Sequence, residues 1–222
     1  MVDVAAGDVL AWAQFPFFNP NSYNQYRPSE YRNRLAQDAL EPGSTFKPFL
    51  IASALQEGVV TRDTTFNCEN GLWKSRYITI RDDSRPNRTS RAWRRSSPTR
   101  AISAAAKSGW SSARSSTSVT FPGLASANAR ASSSPRAAAS CAPAREWSEA
   151  DLISSSFGQS LSVTVLQMAQ AYLTLANEGV YKPCGSSSPT MWAEGTTYFF
   201  QEHHAGSAFH DAVEVVDEAR AS

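Results

Sequence analysis

The feature that most constrains this chain is the nine-residue run 41–49, which reads EPGSTFKPF. A Pro-Gly turn leads into Ser44 at the start of an apolar stretch, and Lys47 follows three residues later. If Ser44 opens a helix, the two side chains lie one turn apart on the same face. A serine hydroxyl needs a base within hydrogen-bond reach to act as a nucleophile. A lysine can be that base only where burial or a neighbouring cation lowers its pKa, and Phe46 and Phe49 can provide the burial.

A purely structural role also explains these residues: Ser44 caps a helix and Lys47 is a solvated lysine in its first turn. The pattern S-x-x-K is common, and by itself it favours that structural role. The wider run 41–49, however, resembles the acylation motif of penicillin-binding proteins, in which the serine is acylated and the lysine activates it. The resemblance makes Ser44 and Lys47 the candidate catalytic residues.

Residues 2–21 carry a second part of this resemblance. Two short apolar runs flank Gly7 and Asp8, a pattern typical of a hairpin, and the chain then leaves through Pro16 and Pro20. The pattern D-x-x-x-G-x-V-L-A-x-A-x-x-P-x-F-N-P-N is similar to the opening of the penicillin-binding transpeptidase domain. We expect residues 2–18 to form a strand and its exit, with the aromatic side chains packed in the core.

The third part of the resemblance lies in residues 154–183. The run SFGQSLSVT precedes a predicted amphipathic helix that ends near residues 177–179. This stretch resembles a segment of division-type class B penicillin-binding proteins, where the helix supports the site without supplying chemistry. The predicted apolar face of the helix consists of Val165, Leu166, Ala169, Tyr172, Leu173 and Leu175.

The residues between the first and third parts give weaker signals. Apolar residues recur at helical spacing from Ser44 to Gly58, and Gly58 is a plausible C-cap. We expect residues 59–73 to form a surface excursion and residues 77–82 a short strand.

The composition changes abruptly after Asp83. Residues 84–145 contain no Asp or Glu and are rich in Ser, Ala and Arg, so they cannot bury enough apolar surface to offset the entropy of ordering. Three explanations compete: a basic disordered linker, an RNA-binding Ser/Arg segment, or the family's own coding sequence read in the wrong frame.

The frame explanation can be tested on paper. With plausible codons, a reading shifted to the third base turns the stretch from Phe121 into a peptide containing GFGERTGIELP, which resembles a family segment. The same shift turns residues 107–113 into IGLELG, and residues 184–188 into RLVKS. Since two runs match at one offset and in family order, the sequence favours a frame error over a linker.

These observations divide the chain into four segments. Residues 1–83 are the N-terminal part of a transpeptidase domain with the S-x-x-K motif, and residues 146–183 are its helix segment. Residues 84–145 are the anomalous Ser/Ala/Arg-rich segment, disordered or frame-shifted, and residues 184–222 are an anomalous C-terminal tail. The resemblance therefore covers about half of the chain.

Composition and charge exclude few functions. The net charge of +1 indicates neither a nucleic acid nor an anionic surface as partner, and we expect no nucleic acid. The three cysteines fit neither a disulfide framework nor a zinc site, and the sequence alone gives His203, His204 and His210 no companion ligands, so no metal is expected. No apolar run has the length of a membrane span, and we expect no signal peptide or anchor in this chain.

Two further motifs of the family are missing where they belong. A working site needs S-x-x-K, then S-x-N, then K-[ST]-G, in that order. Residues 107–109 read KSG but precede the SAN of residues 126–128, so both matches are coincidental. Ser96 and Ser97 lie at about the expected distance after Ser44, yet Pro98 follows. The sequence therefore predicts low or no turnover for the chain as written.

The resemblance implies an incomplete α+β fold of the penicillin-binding and serine β-lactamase type, an antiparallel sheet covered by helices. It implies a D,D-transpeptidase that cross-links peptidoglycan stem peptides through an acyl-enzyme on Ser44, with β-lactams as covalent inhibitors and no cofactor. It also implies division-complex membrane proteins as partners, at the periplasmic face of the inner membrane. The alternatives are an inactive truncated remnant, and a relative of serine β-lactamases or penicillin sensors.

Overall fold

The computed structural model of the protein describes residues 1–56, 60–61, 64–67, 69–81, 89–91 and 148–185. Helices and short antiparallel strands alternate along them, in agreement with an α+β fold. They form two compact units: one contains residues 1–40 and 162–185, and the other contains the described residues between 41 and 161. The elements in chain order are the 3₁₀ helix Pro20–Gln25, α1 (Arg34–Gln37), β1 (Ala39–Leu40), the 3₁₀ helix Gly43–Phe46, α2 (Lys47–Gln56), β2 (Thr65–Asn67), the 3₁₀ helix Glu69–Gly71, β3 (Leu72–Lys74), β4 (Thr79–Arg81), β5 (Thr89–Arg91), α3 (Glu149–Ser155), β6 (Val163–Thr164) and α4 (Val165–Ala176).

The first unit opens with the predicted chain reversal. The N–H of Asp3 donates to the carbonyl of Asp8 at 2.8 Å, and Val2 and Val9 form an isolated antiparallel bridge. The hairpin-like prediction is therefore confirmed as a turn, but the prediction of a strand here is wrong. The pairing extends to the first residue, since the N–H of Leu10 donates to the Met1 carbonyl at 2.9 Å and the Met1 ammonium donates to the Ala11 carbonyl at 2.8 Å.

The aromatic residues that follow do not all lie in the core, as the sequence predicted. Phe15 and Phe17 are 83% and 70% exposed. Phe18 is half-buried and packs its ring against Tyr31, with ring centroids 5.4 Å apart, and against Tyr26 at 6.3 Å. Of these three rings, only that of Phe18 packs against other aromatic side chains.

The N-terminal turn is fastened to the end of the described chain. Gly7 has a φ of +81°, and a Cβ on it would lie 2.6 Å from the carbonyl oxygen of Pro183. The N–H of Gly185 donates to the Gly7 carbonyl at 2.9 Å, and the Lys182 ammonium donates to the carbonyl of Ala5. Only glycine permits this close approach at position 7.

Helix α4 has the bounds that its sequence predicts. A capping box starts it: Gln167 N–H donates to the Thr164 hydroxyl at 3.2 Å, and Thr164 N–H donates to the Gln167 side chain at 2.7 Å. At the other end, Asn177 N–H bonds the Leu173 carbonyl. The strand pair β1–β6, with Leu40 opposite Val163, leads directly into this helix.

The buried face of α4 differs from the predicted apolar face. Val165 is 40% exposed, and three polar side chains are buried instead. The buried residues are Gln167, Met168, Gln170, Ala171, Leu173, Thr174 and Leu175. A prediction from apolar periodicity places polar side chains on the exposed face. These three are buried because each has a hydrogen-bond partner, as buried polar groups require.

Gln170 is the most consequential of these polar residues. Its side-chain amide donates to the carbonyl of Lys182 and accepts from the N–H of Cys184, both at 2.6 Å. The Gln170 side chain is only 5% exposed. Its amide takes the place of water as the hydrogen-bond partner of two backbone groups in the segment after the helix. The side chain thus ties residues 182–184 to α4.

The second unit contains two antiparallel strand pairs, β2–β5 and β3–β4. The prediction of a strand at 77–82 is confirmed by β4, whereas residues 59–73 include strand β2 and the start of β3 rather than a mere excursion. One hydrophobic cluster of this unit consists of Ile80, Ile153 and Phe157, with Trp73 and Ile78 packed against it. Since Ile153 lies on α3, the cluster joins α3 to the β3–β4 hairpin.

Several predictions fall mainly outside the described residues. Of segment 84–145 the structure describes only residues 89–91, and of segment 184–222 only residues 184–185. The linker, RNA-binding and frame-error explanations therefore stay predictions. Within the described part of the chain, no helix has the length and apolar character of a membrane span, and no group of His, Cys, Asp and Glu could hold a metal.

The role of Gln170 predicts a large effect of Gln170→Ala. Two buried hydrogen bonds disappear, so we expect the free energy of unfolding to fall by about 3 kcal/mol. Urea unfolding of the 222-residue chain measures this. The matched control, Gln25→Ala at an exposed position, should change stability by less than about 0.5 kcal/mol. Equal effects of the two variants would show that the amide contributes nothing.

The capping box of α3 predicts a pH effect. The Ser148 hydroxyl and N–H donate to the Asp151 carboxylate at 2.7 and 3.0 Å, and they lower the pKa of Asp151 below its ordinary 3.8. This stabilisation is present above the unfolded pKa and disappears as the pH falls through the folded pKa. The advantage of wild type over Asp151→Asn in urea unfolding should therefore shrink between about pH 6 and about pH 2.5. In a Ser148→Ala background the pH dependence should become weaker without vanishing, because the hydroxyl bond is lost while the backbone N–H of residue 148 still donates to Asp151.

Candidate active site

Ser44 and Lys47 lie on one continuous helical segment of the second unit. Ser44 is in the 3₁₀ helix Gly43–Phe46, and α2 begins at Lys47. The backbone N–H of Lys47 donates to the carbonyl of Ser44. The structure therefore places Lys47 one turn after Ser44, and the prediction that a helix opens at Ser44 is confirmed.

The two side chains differ sharply in exposure. Ser44 is exposed, whereas Lys47 is only 2% exposed. Its neighbours Phe46 and Phe49 are 0% and 2% exposed, with ring centroids 5.9 Å apart. The alternative prediction, in which Lys47 is a solvated lysine in the first turn of the helix, is therefore wrong. An accessible serine one turn before a buried lysine is compatible with the roles of nucleophile and base that the sequence predicts for them.

The turn before Ser44 is fixed by its own residues. Gly43 has a φ of +57°, which glycine adopts without penalty. The Thr45 hydroxyl donates to the carbonyl of Pro42 at 2.6 Å. Proline, glycine and threonine thus each supply one element of the turn: a fixed φ, a positive φ and a hydroxyl donor.

Gly158 contacts this turn backbone to backbone. The N–H of Gly43 donates to the carbonyl of Gly158 at 2.9 Å. A Cβ on Gly158 would lie 2.1 Å from the Gly43 carbonyl oxygen and 2.6 Å from its nitrogen. No side chain fits there, so the position requires glycine for space as well as for its φ of +82°. The family pattern S-F-G signalled this glycine, but not the contact it makes.

The serines before Gly158 end helix α3. The hydroxyls of Ser155 and Ser156 donate to the carbonyls of Leu152 and Ile153 at 2.9 and 2.6 Å, and both side chains are buried. The N–H of Gly158 donates to the Ser155 carbonyl at 3.0 Å. These hydroxyls satisfy carbonyls in the last turn of the helix, a structural role that the sequence did not predict.

A second long-range bond joins the same two segments. The N–H of Ser160 donates to the carboxylate of Glu41 at 3.1 Å, across 119 residues of sequence. Ser160 has a φ of +60°, a conformation that residues with a Cβ rarely adopt. Sequence reasoning did not identify Glu41 or Ser160 as part of the site, because no local pattern indicates a pairing so distant.

The sequence matches to the other two family motifs lie outside the described residues. Residues 96–98, 107–109 and 126–128 are all among them. The described part of the site consists of the turn 41–47 and the segment 155–160. Chemically, this part offers one candidate nucleophile, one candidate base and two hydrogen bonds that fix the turn.

Comparison with known proteins supplies the context for this geometry. A family model described as the penicillin binding protein transpeptidase domain matches residues 1–185. The chain is 34% identical over 184 residues to Peptidoglycan D,D-transpeptidase FtsI of Escherichia coli K12, covering 82% of this chain and 31% of the relative. It is 29% identical over 198 residues to Probable peptidoglycan D,D-transpeptidase PbpC of Pseudomonas aeruginosa, with 82% and 32% covered. The chain thus spans about a third of the length of these relatives.

Solved structures agree on the fold. A peptidoglycan glycosyltransferase from Burkholderia ambifaria superposes with a TM-score of 0.71 at 26% identity, over 96% of this chain and 61% of that one. The transpeptidase domain of penicillin-binding protein 3 from Burkholderia pseudomallei gives 0.72 at 24% identity, over 96% and 58%. The predicted α+β fold of the penicillin-binding type is confirmed.

The contact at Gly158 predicts that Gly158→Ala is severely destabilising. The new Cβ overlaps backbone atoms that cannot rotate away, so we expect a loss of about 3 kcal/mol in the free energy of unfolding. Gly43→Ala is the matched control, since its Cβ would meet nothing within 4 Å and only the positive φ penalises it. That variant should lose about 1 kcal/mol in the same urea titration. Equal losses for the two would contradict the close approach.

Proposed function

Because the chain belongs to the family of penicillin-binding protein transpeptidase domains, we propose that it carries the catalytic serine of a peptidoglycan D,D-transpeptidase. The observation that supports this most is the pairing of an exposed Ser44 with a buried Lys47 one helical turn later. The names of the relatives from Escherichia coli and Pseudomonas aeruginosa point to the same reaction.

In the proposed first step, Lys47 in its neutral form accepts the proton of the Ser44 hydroxyl. The Ser44 oxygen attacks the carbonyl carbon between the two terminal D-alanines of a stem peptide. The C–N bond breaks, the proton passes to the departing nitrogen, and free D-alanine leaves behind an ester on Ser44. The buried position of Lys47 favours its neutral form and so supports this role.

In the proposed second step, an amine of a neighbouring stem peptide attacks the ester. A new amide forms, the Ser44 oxygen leaves and recovers a proton, and the two strands are cross-linked. No metal or organic cofactor takes part in either step. A β-lactam follows only the first step: its ring amide opens on Ser44, and the amine stays tethered to the acyl group.

We further propose that the chain as written turns over slowly or not at all. The sequence lacks an S-x-N and a K-[ST]-G motif in the family order, and such groups guide the proton and bind the substrate carboxylate. A frame error across residues 84–145 and 184–222 would account for their loss. In the extreme case the chain is an inactive remnant. Incubation with a β-lactam distinguishes such a remnant from a slow enzyme.

The cellular setting is also a proposal. Since a relative is FtsI of Escherichia coli, we place the activity in cell-wall synthesis at division, on the periplasmic face of the inner membrane. Division-complex membrane proteins would be its partners. This assignment follows from kinship with that relative.

Incubation with benzylpenicillin and intact-mass measurement test the function. We expect the wild-type chain to gain the mass of one penicillin slowly, because Ser44 and Lys47 are present while the other motifs are not. Ser44→Ala should gain none, and Lys47→Met, which keeps the buried volume, should be slower by at least about a hundredfold. Peptide mapping should place the adduct on Ser44.

Each other outcome has a definite meaning. A wild-type chain that never labels, although folded by circular dichroism, contradicts the acyl-enzyme function and identifies a remnant. Rapid stoichiometric labelling contradicts the proposed impairment. Labelling of the Ser44→Ala variant would show that a residue other than Ser44 is the nucleophile.

A further inference from the structure

We propose that Glu41 is a positioning residue for Ser44, and that its bond to the N–H of Ser160 orients the nucleophile turn for acylation. This inference rests on the proposed function, because it concerns the rate of the same acylation step. The Glu41 carboxylate bonds the backbone of Ser160 and takes no part in the bond-making step. It acts through the backbone of the turn that carries Ser44.

The turn is joined to the segment 158–160 at two points. One is the bond from Gly43 N–H to the Gly158 carbonyl at 2.9 Å, and the other is the bond from Ser160 N–H to the Glu41 carboxylate at 3.1 Å. A single bond leaves the turn free to rotate about it. Two bonds, one on each side of Pro42, fix its direction as well as its position.

The covalent structure explains why a side chain supplies the second bond. Pro42 lies between Glu41 and Gly43, and proline has no backbone N–H to pair with a neighbouring segment. The carboxylate of Glu41 extends past this gap and accepts from Ser160. Of the residues immediately before Ser44, Glu41 is the one whose side chain bonds the segment that contains Gly158.

Ser160 makes this bond from an unfavourable backbone conformation. Its φ of +60° disfavours a residue with a Cβ, and such conformations persist where surrounding contacts fix them. The bond to Glu41 is a contact of that kind. Both residues are exposed, so the bond adds little to global stability, since water can replace either partner of a solvated hydrogen bond.

These observations separate a positioning role from a structural one. A residue that only stabilised the fold would change the melting temperature and leave the acylation rate of the folded protein unchanged. Glu41 should do the reverse. A small displacement of Ser44 is costly, because a shift of about 1 Å in a reacting group can lower a rate by up to a hundredfold.

The experiment measures acylation of the full chain by a fluorescent penicillin, resolved into a noncovalent binding constant and an acylation rate constant. We expect Glu41→Ala to lower the rate constant about tenfold with little change in binding or melting temperature. Glu41→Gln keeps an acceptor oxygen and should restore the rate to within about threefold. The control is Glu30→Ala, which removes a carboxylate bond to the N–H of Arg27 in the other unit and should change nothing.

The possible failures are distinguishable. If the wild type labels and Glu41→Ala labels at the same rate, the positioning role is overturned and the proposed function stands. If the wild type does not label, the proposed function fails and the positioning role with it. Hydrogen exchange at the Ser160 amide then tests the bond alone: faster exchange in Glu41→Ala confirms the bond, and equal exchange shows that it does not form in solution.

Discussion

The site depends on one close approach, the contact between the backbones of Gly43 and Gly158. Because no Cβ fits at Gly158, the peptide planes meet directly and the N–H of Gly43 finds an acceptor at 2.9 Å. Ser44 follows immediately, so its position is set by a contact between main chains rather than by side-chain packing. The buried serine hydroxyls at the end of α3 fix the segment that carries Gly158. The position of Ser44 therefore depends on Gly158, and the position of Gly158 depends on the serine hydroxyls that end α3.

In the first unit, side-chain amides fix the position of backbone segments. Gln167 caps the start of α4, and Gln170 satisfies both a carbonyl and an N–H of the segment after that helix. Buried polar groups are tolerated only when they are paired, and here each pairing also fixes a backbone segment. Helix α4 thus fixes neighbouring backbone segments through these hydrogen bonds as well as through its apolar contacts.

Local signals in the sequence predicted the local structure well. The serine turn, the reversal at Gly7 and the end of α4 near Asn177 each follow from a proline, a glycine or a periodicity within a few residues. The burial of Gln170 could not be predicted in this way, because a glutamine is buried only if a partner is available, and its partners lie twelve or more residues ahead. For the same reason the sequence placed Ser44 and Lys47 correctly along one helix, yet gave no indication of Glu41 and Ser160.

The long separation between Glu41 and Ser160 has a consequence for biosynthesis. A ribosome adding about 5–20 residues per second needs roughly 6–24 s to pass from one to the other across the intervening 119 residues. Throughout that time the segment 41–49, with its aromatic residues, has no partner from 155–160 and its apolar surface is available to chaperones. Contacts so distant in sequence also close slowly. The turn that carries Ser44 is therefore translated well before the segment that completes its final geometry.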